Sequence, residues 1–389
     1  MELIRRFFND PEASFFLFGA RGTGKSTWLK MNFTHDTLYV DLLNPENFRK
    51  YSARPERLGE LLAGNPDAQT VIVDEIQKVP ELLDVVHHLI EENKNVRFIL
   101  TGSSSRKLKR SGVDLLAGRA IHKTFHPFMG AELAENFDLA HALKYGLIPL
   151  IYRSKNPIET LHSYITLYIN EEVKMEGLIR NVGGFSRFLE TVSFSNGSVI
   201  NISEIARDSQ VGRKAVEGYI SILEDLLLSI QIPVFTKKAK RLLIAHPKFY
   251  FFDTGVFRAL RPTGPLDRPQ EIDGLALETL TLQHLRAWIG YSGNGSKIYY
   301  WRTKAGLEVD FIVYGAEHFY AIEVKNTDTI RSNDLKGLKA FQSDYPQAKG
   351  YLIYRGKEKV RIQNILCIPA GDFYQNLIPG NAFEYAHQD

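Results

Sequence analysis

The chain has 389 residues, 44% hydrophobic and 24% charged, with a formal net charge of +3. This is the composition of an ordinary globular chain of two or three domains, because single cores stop growing near about 250–300 residues. It excludes a strongly basic protein, so any nucleic-acid affinity must come from local patches. The lone Cys367 excludes an internal disulfide framework and a cysteine-rich zinc site, residues 1–10 are too short and charged for a signal peptide, and no apolar run approaches the roughly 18 residues of a membrane span, so the expected location is the cytoplasm, without membrane contact.

The first 125 or so residues alternate apolar strand-like runs, at 15–18, 38–43, 71–73, 98–100 and 120–125, with helical patterns such as 81–92. That alternation predicts an α/β fold with a mostly parallel sheet covered on both faces. After the first run comes Gly19-Ala20-Arg21-Gly22-Thr23-Gly24-Lys25-Ser26, which fits the phosphate-loop pattern G-x-x-x-x-G-K-[ST] at every fixed position. Its glycines (Gly19, Gly22, Gly24) let backbone N–H groups curl around an anion, and the helix that follows adds partial positive charge. Lys25 is expected on the β- and γ-phosphates of ATP and Ser26 on Mg²⁺, with Thr23 and Thr27 completing the binding segment. The run Val71-Ile72-Val73 ends in Asp74-Glu75. Asp74 is the expected Mg²⁺-side acid and Glu75 the acid that polarises the attacking water.

This Asp-Glu pair, followed by an apolar strand ending Leu100-Thr101-Gly102-Ser103-Ser104-Ser105, resembles the AAA+ ATPase superfamily. The resemblance implies a polar residue sensing the γ-phosphate, with Ser103 first and Thr101 second. It also implies a homo-oligomer in which an arginine, often a neighbouring subunit's, stabilises the transition state; Arg119 and Arg106 are the candidates.

From 127 to 182 the pattern turns helical, with breaks at Pro149 and Pro157, and reads as a helical lid or connector after a 1–126 ATPase core. In 183–260, a short helix at 202–207 capped by Ser203, a turn at 209–212 and a second helix at 213–227 form a helix-turn-helix unit. A strand at 230–235, the basic stretch Thr236-Lys237-Lys238-Ala239-Lys240-Arg241 and a strand at 249–252 then suggest a winged helix. Arg213 and Lys214 on its second helix, with the basic tip, are candidate DNA phosphate contacts; protein contact is the competing reading. Asp253-Thr254-Gly255 reads as a helix cap.

The segment 261–389 opens at Pro262, Pro265 and Pro269, read as a linker, and continues as helix, three strands, helix, strand. Glu278 falls in the helix, Asp310 in the second strand, and Glu323 and Lys325 in the third. Residues two apart on a strand share a face, and a hairpin pairing Tyr314 with Phe319 puts Asp310 opposite Glu323 on that face. Such carboxylates can hold Mg²⁺, with Glu278 completing the shell and Lys325 acting on water, its pKa lowered by partial burial and a nearby cation. The set resembles the PD-(D/E)xK nuclease superfamily, the restriction-endonuclease-like fold. The whole order of parts resembles a bacterial and archaeal group of AAA+-like ATPases with a winged helix and a nuclease-like C-terminal domain. Two functions follow: a Mg²⁺-dependent ATPase coupled to DNA binding and cleavage, or a nucleotide-switched regulatory ATPase whose C-terminal domains bind protein partners without cutting DNA.

Overall fold

The computed structural model describes residues 4–92, 95–103, 116, 118–169, 182–236 and 246–383. The chain forms two compact bodies: residues 8–126 with 225–227, and residues 127–224 and 228–389 together with the chain's first residues.

The first body is built on five strands, β1 (Phe15–Phe18), β2 (Thr37–Asp41), β3 (Thr70–Asp74), β4 (Arg97–Gly102) and β5 (Ile121–Thr124), in the order β2-β3-β4-β1-β5. Every pairing is parallel. β1 and β3 are buried along their whole length, as expected of strands covered on both faces. The helices are α1 (Lys25–Asn32), α2 (Pro45–Ala53), α3 (Arg57–Ala63) and α4 (Leu82–Glu92). Leu82, Leu83, Val86 and Leu89 of α4 repeat at helical spacing and pack into a core with Phe16, Val71, Val73, Phe98 and Leu100. Because β4 lies between β1 and β3, the C-terminal ends of these strands bring the loop after Phe18, the pair after Val73 and Thr101–Ser103 side by side.

In the second body, helices α5 (Leu139–Tyr145) and α6 (Val182–Ser193) precede α7 (Ile202–Ser209) and α8 (Arg213–Asp225). α7 is capped by the side chain of Asn201, which accepts from Glu204 N–H, rather than by the expected Ser203. α8 stops two residues before the expected 227, where Leu227 adopts φ 60°. A small antiparallel sheet follows, β6 (Ser198–Val199), β8 (Lys248–Phe251) and β7 (Ser229–Ile232) in that order. Asp253 caps α9 (Thr254–Leu260), accepting from the N–H groups of Gly255 and Val256, as its sequence predicts.

Pro269 belongs to a helix rather than a linker: it sits in the first turn of α10 (Pro269–Ser292), where its missing N–H costs nothing. The sheet beyond has six strands, one hairpin more than expected: β9 (Lys297–Arg302), β10 (Glu308–Tyr314), β11 (Phe319–Lys325), β12 (Lys349–Tyr354), β13 (Val360–Ile362) and β14 (Ile365–Pro369), in the order β13-β14-β12-β11-β10-β9. α11 (Lys336–Asp344) covers it through Leu338 and Phe341, and α12 (Ala370–Asn376) ends the described chain's regular structure. The stretches read as separate 183–260 and 261–389 segments share one body here. Phe235 lies in the core with Trp301, Val309 and Phe341, Val234 bridges to Tyr300, and Asn196 donates to Thr279.

Candidate functional site

The glycines of the loop after β1 meet strict backbone demands. Gly22 and Gly24 hold φ of 80° and 93°, left-handed values that favour glycine. A Cβ on Gly19 would stand 2.5 Å from the carbonyl oxygen of Phe125. The loop is held tight by Thr23 Oγ1, which donates to Ala20 O at 2.8 Å. Lys25 is buried, with its ammonium donating to Gly19 O and, at 3.4 Å, to Ala20 O. An ammonium held over a coil of glycine backbone, at the start of a helix, is a donor set suited to phosphate oxygens. Ser26 is half-buried on α1 and Thr27 is exposed beside it.

Asp74, fully buried at the end of β3, accepts from Thr101 Oγ1 on one oxygen and from the Tyr39 hydroxyl, at 2.6 Å, on the other. Ser26, the other expected Mg²⁺ ligand, lies near the same hydroxyl and acts to lower its pKa. Burial first, then the Asp74 carboxylate, push the Tyr39 pKa well above that of a free phenol, so it stays a neutral donor. Glu75 turns out of the strand at φ 63°, and its N–H donates to Thr101 Oγ1 at 3.1 Å. Its carboxylate accepts from Gln77 Nε2, which also donates to Ser103 Oγ at 3.2 Å. Gln77 thereby ties the expected water-polarising acid to the expected γ-phosphate sensor. Thr101, buried against Asp74 and Glu75, supports the acids. Sequence reasoning missed Tyr39 and Gln77.

Arg119 pairs with Glu91 near the surface, just before β5. It therefore lies at the N-terminal edge of the parallel sheet, opposite the edge that carries the phosphate loop. As a transition-state arginine it could serve only another subunit's site. Arg106 lies outside the described residues, as does the basic tip at 237–241; on α8, Arg213 and Lys214 are exposed, with Arg213 paired to Glu217 at 3.3 Å.

In the second body β10 and β11 pair with Tyr314 opposite Phe319, the register expected from the sequence. Asp310 Oδ2 accepts from Val324 N–H at 2.9 Å, and the β9–β10 ladder shifts register between Val309 and Ile312, bulging the strand at Asp310. Lys325 pairs with Glu323 on either side of Val324, whose N–H donates to Asp310, and Asp310 and Glu278 meet at one buried ammonium, so the four expected residues fall into one cluster. Four further groups, Lys248, Tyr250, Arg302 and Glu308, join them unforeseen. Lys248 of β8, 2% exposed, contacts Glu278 at 3.2 Å, Asp310 at 3.5 Å and, closer still, Glu308. Tyr250 donates to the same Glu278 oxygen that faces Lys248. Arg302 pairs with the other oxygen of Glu308 at 3.3 Å.

These contacts correct the expectation for Lys325. Burial alone would lower its pKa, but Glu323, against which its ammonium is packed, and Asp310 raise it above the ordinary lysine value, so it is a charged donor rather than a neutral amine. Burial first, then Asp310, lift the Glu278 carboxyl to about 7 and raise Glu323 well above its usual range. Among the described residues no group of three or more His, Cys, Asp or Glu is arranged to hold a metal ion. Glu278, Asp310 and Glu323, expected to share Mg²⁺, instead share the ammonium groups of Lys248 and Lys325. The divalent ion implied by the nuclease resemblance does not fit this arrangement.

Residues 12–134 match the AAA domain family. Together with the loop geometry, this match supports a nucleotide-binding ATPase in the first body. Residues 136–267 and 273–373 match two domains of unknown function, DUF8612 and DUF4143. Uncharacterized proteins of Mycobacterium tuberculosis and Mycobacterium bovis are each 24% identical over 308 residues, covering 77% of this chain and 68% of theirs. Among solved structures, domain III of the Thermotoga maritima replication initiation protein DnaA aligns at 12% identity and a TM-score of 0.25, over 41% of this chain and 77% of that one. A Vibrio cholerae protein aligns at 12% and 0.22, over 88% and 96%. Among the described residues no helix is long and apolar enough to cross a membrane.

Proposed function

We infer that the protein is a Mg²⁺-dependent ATPase that couples nucleotide turnover to DNA engagement by the second body. The observation carrying the chemistry is the hydrogen-bonded chain at one sheet edge: Tyr39 to Asp74 to Thr101 to Glu75 to Gln77 to Ser103. Ser26 and Asp74 would hold Mg²⁺, which supplies charge neutralisation at the phosphates when bound. Lys25 and the loop N–H groups bind and orient the triphosphate. Glu75 orients the attacking water and receives its proton, and Ser103 donates to the γ-phosphate end. Subunits associate so that Arg119 of one copy, on the opposite edge, completes the site of another. DNA contact falls to α8, through Arg213 and Lys214, and to the basic segment after it.

One observation favours the second reading for the C-terminal sheet, a binding or regulatory module that does not cut. It is the buried Lys248 among the carboxylates, which opposes metal-dependent cleavage.

The test is phosphate release by the purified chain with ATP and Mg²⁺, with and without duplex DNA. Lys25→Ala is expected to abolish turnover, and duplex DNA to stimulate the wild type. Wild-type turnover in Lys25→Ala would refute the nucleotide site. Absence of both DNA binding and stimulation by DNA would shift the second body to protein partners.

A further inference from the structure

The carboxylate set of the C-terminal sheet already has a cation, supplied by the chain itself. Lys248 is buried on a strand whose backbone is pinned on both sides, opposite Val199 in β6 and Ile232 in β7. Its ammonium meets Glu278, Asp310 and Glu308 at once. A buried ammonium is tolerable only when paired in this way, and buried carboxylates left without it are strongly disfavoured. A divalent ion of the Mg²⁺ or Mn²⁺ type binds oxygens at about 2.0–2.6 Å and would draw on the same Glu278 and Asp310 atoms. Their oxygens are committed: Asp310 Oδ2 accepts from Val324 N–H, and Glu278 Oε1 accepts from Tyr250 and Lys248. A second, independent feature points to an unfilled ligand role. Glu323, 6% exposed, pairs one oxygen with Lys325, while its Oε2 is buried without a hydrogen-bond partner among the described residues. Such an atom is costly unless something can bind it.

We propose that the Lys248 ammonium takes the place of a divalent cation in this set: it pairs Glu278 and Asp310, beside the Glu323–Lys325 pair, and keeps the set in a metal-free form that does not cleave DNA. Removing that ammonium opens a site for one oxygen-liganded divalent ion. The proposal rests on the nuclease-like reading of the C-terminal sheet and is independent of the ATPase reading, whose residues lie in the other body.

The experiment is calorimetric titration of Mn²⁺ into the full chain without nucleotide, on wild type, Lys248→Met, Lys248→Arg and Lys248→Met/Asp310→Asn. Lys248→Met is expected to bind one Mn²⁺ about 100-fold more tightly than wild type, the scale set by relieving unpaired buried carboxylates. Asp310→Asn is expected to remove that gain, and Lys248→Arg to behave as wild type. If Lys248→Met does not fold in metal-free buffer, its recovery of ellipticity on adding Mn²⁺ becomes the readout. Recovery that Asp310→Asn blocks supports the proposal, and absence of recovery counts against it. A folded Lys248→Met without the gain overturns it and leaves the cluster a structural ion network. Wild-type Mn²⁺ binding that Asp310→Asn abolishes overturns it in the other direction, favouring a working metal site. ATP turnover, followed in the same preparations, reports separately on the ATPase reading.

Discussion

Replacing Gln77 with leucine keeps the volume of the side chain but removes the amide that joins Glu75 to Ser103. Leucine also removes the buried Oε1, which has no hydrogen-bond partner among the described residues, so the fold is expected to tolerate the change. What is lost is a charge-assisted hydrogen bond on the Glu75 carboxylate, of the order of 1.5–3 kcal/mol, and a neutral one on Ser103. Glu75 is itself in the left-handed conformation, and its carboxylate has no second hydrogen-bond partner among the described residues, so losing the amide frees it to swing. If the hydrogen bond to Glu75 holds it in the attack geometry, kcat falls by about 10- to 100-fold, at about 1.4 kcal/mol per tenfold. The KM for ATP stays put, because Lys25 and the glycine loop, which bind the phosphates, do not touch Gln77. Steady-state phosphate release gives both numbers. A double-mutant cycle sharpens the test: in a Glu75→Gln background, Gln77→Leu should cost little more, since both act on the same water. Unchanged kcat, a change confined to KM, or fully additive losses would each refute a positioning role for Gln77.

Two further outcomes follow from the structure, one in each body. Tyr39→Phe removes the hydroxyl that donates to Asp74, and the Mg²⁺ concentration giving half-maximal turnover should rise by roughly tenfold, as for other outer-shell partners of metal ligands; an unchanged Mg²⁺ requirement would remove Tyr39 from the site. His284, fully buried on α10, accepts from Gly130 N–H at 2.9 Å while its Nδ1 faces Leu280 O at 2.8 Å, and burial lowers its pKa to about 4. The unfolded chain takes up this proton near pH 6.5 and the folded chain only near 4, so the contribution is fully present above 6.5 and is lost as pH falls through 4, about 3 kcal/mol in all. Urea unfolding followed by tryptophan fluorescence should show that loss in wild type and not in His284→Gln; the difference between them cancels the opposite trend of raised carboxyls such as Asp253, and equal pH slopes would refute the assignment.

The phosphate loop was readable because its chemistry is written in one contiguous segment and backbone geometry demands glycine at fixed places. The β10–β11 register was readable for a related reason: a short loop between two apolar strands fixes which residues face each other. Tyr39 was not readable. It reaches Asp74 only because β2 and β3 are neighbours, and nothing in the sequence spacing says so. Gln77 sits two residues from Glu75, but the left-handed turn at Glu75 that brings its amide back onto the carboxylate leaves no mark when the residue is not glycine. The same holds for the hairpin of β13 and β14, which turns at Gln363 with φ 55° and carries no glycine signal. Pro269 misled in the opposite sense, because a proline that breaks a helix interior also starts a helix well.

Lys248 shows why a motif of charged residues is weaker than a motif of glycines. An E-x-K strand beside an aspartate states which ligands are available, but the chemistry depends on the total charge packed around them. Here Glu278, Glu308, Asp310 and Glu323 face Lys248, Lys325 and Arg302. With those cations inside the cluster, a divalent ion adds charge where most of the negative charge is already matched, and it must also take oxygens from an existing hydrogen-bond set. Without Lys248 the balance reverses, and the same carboxylates repel one another unless a metal or protons arrive. The sequence did carry a trace of this: Lys248 directly precedes the apolar run of residues 249–252, and all of β8 is buried. A lysine at a buried strand position has to find anions, and in this fold the anions within reach are the ones the nuclease resemblance would assign to metal.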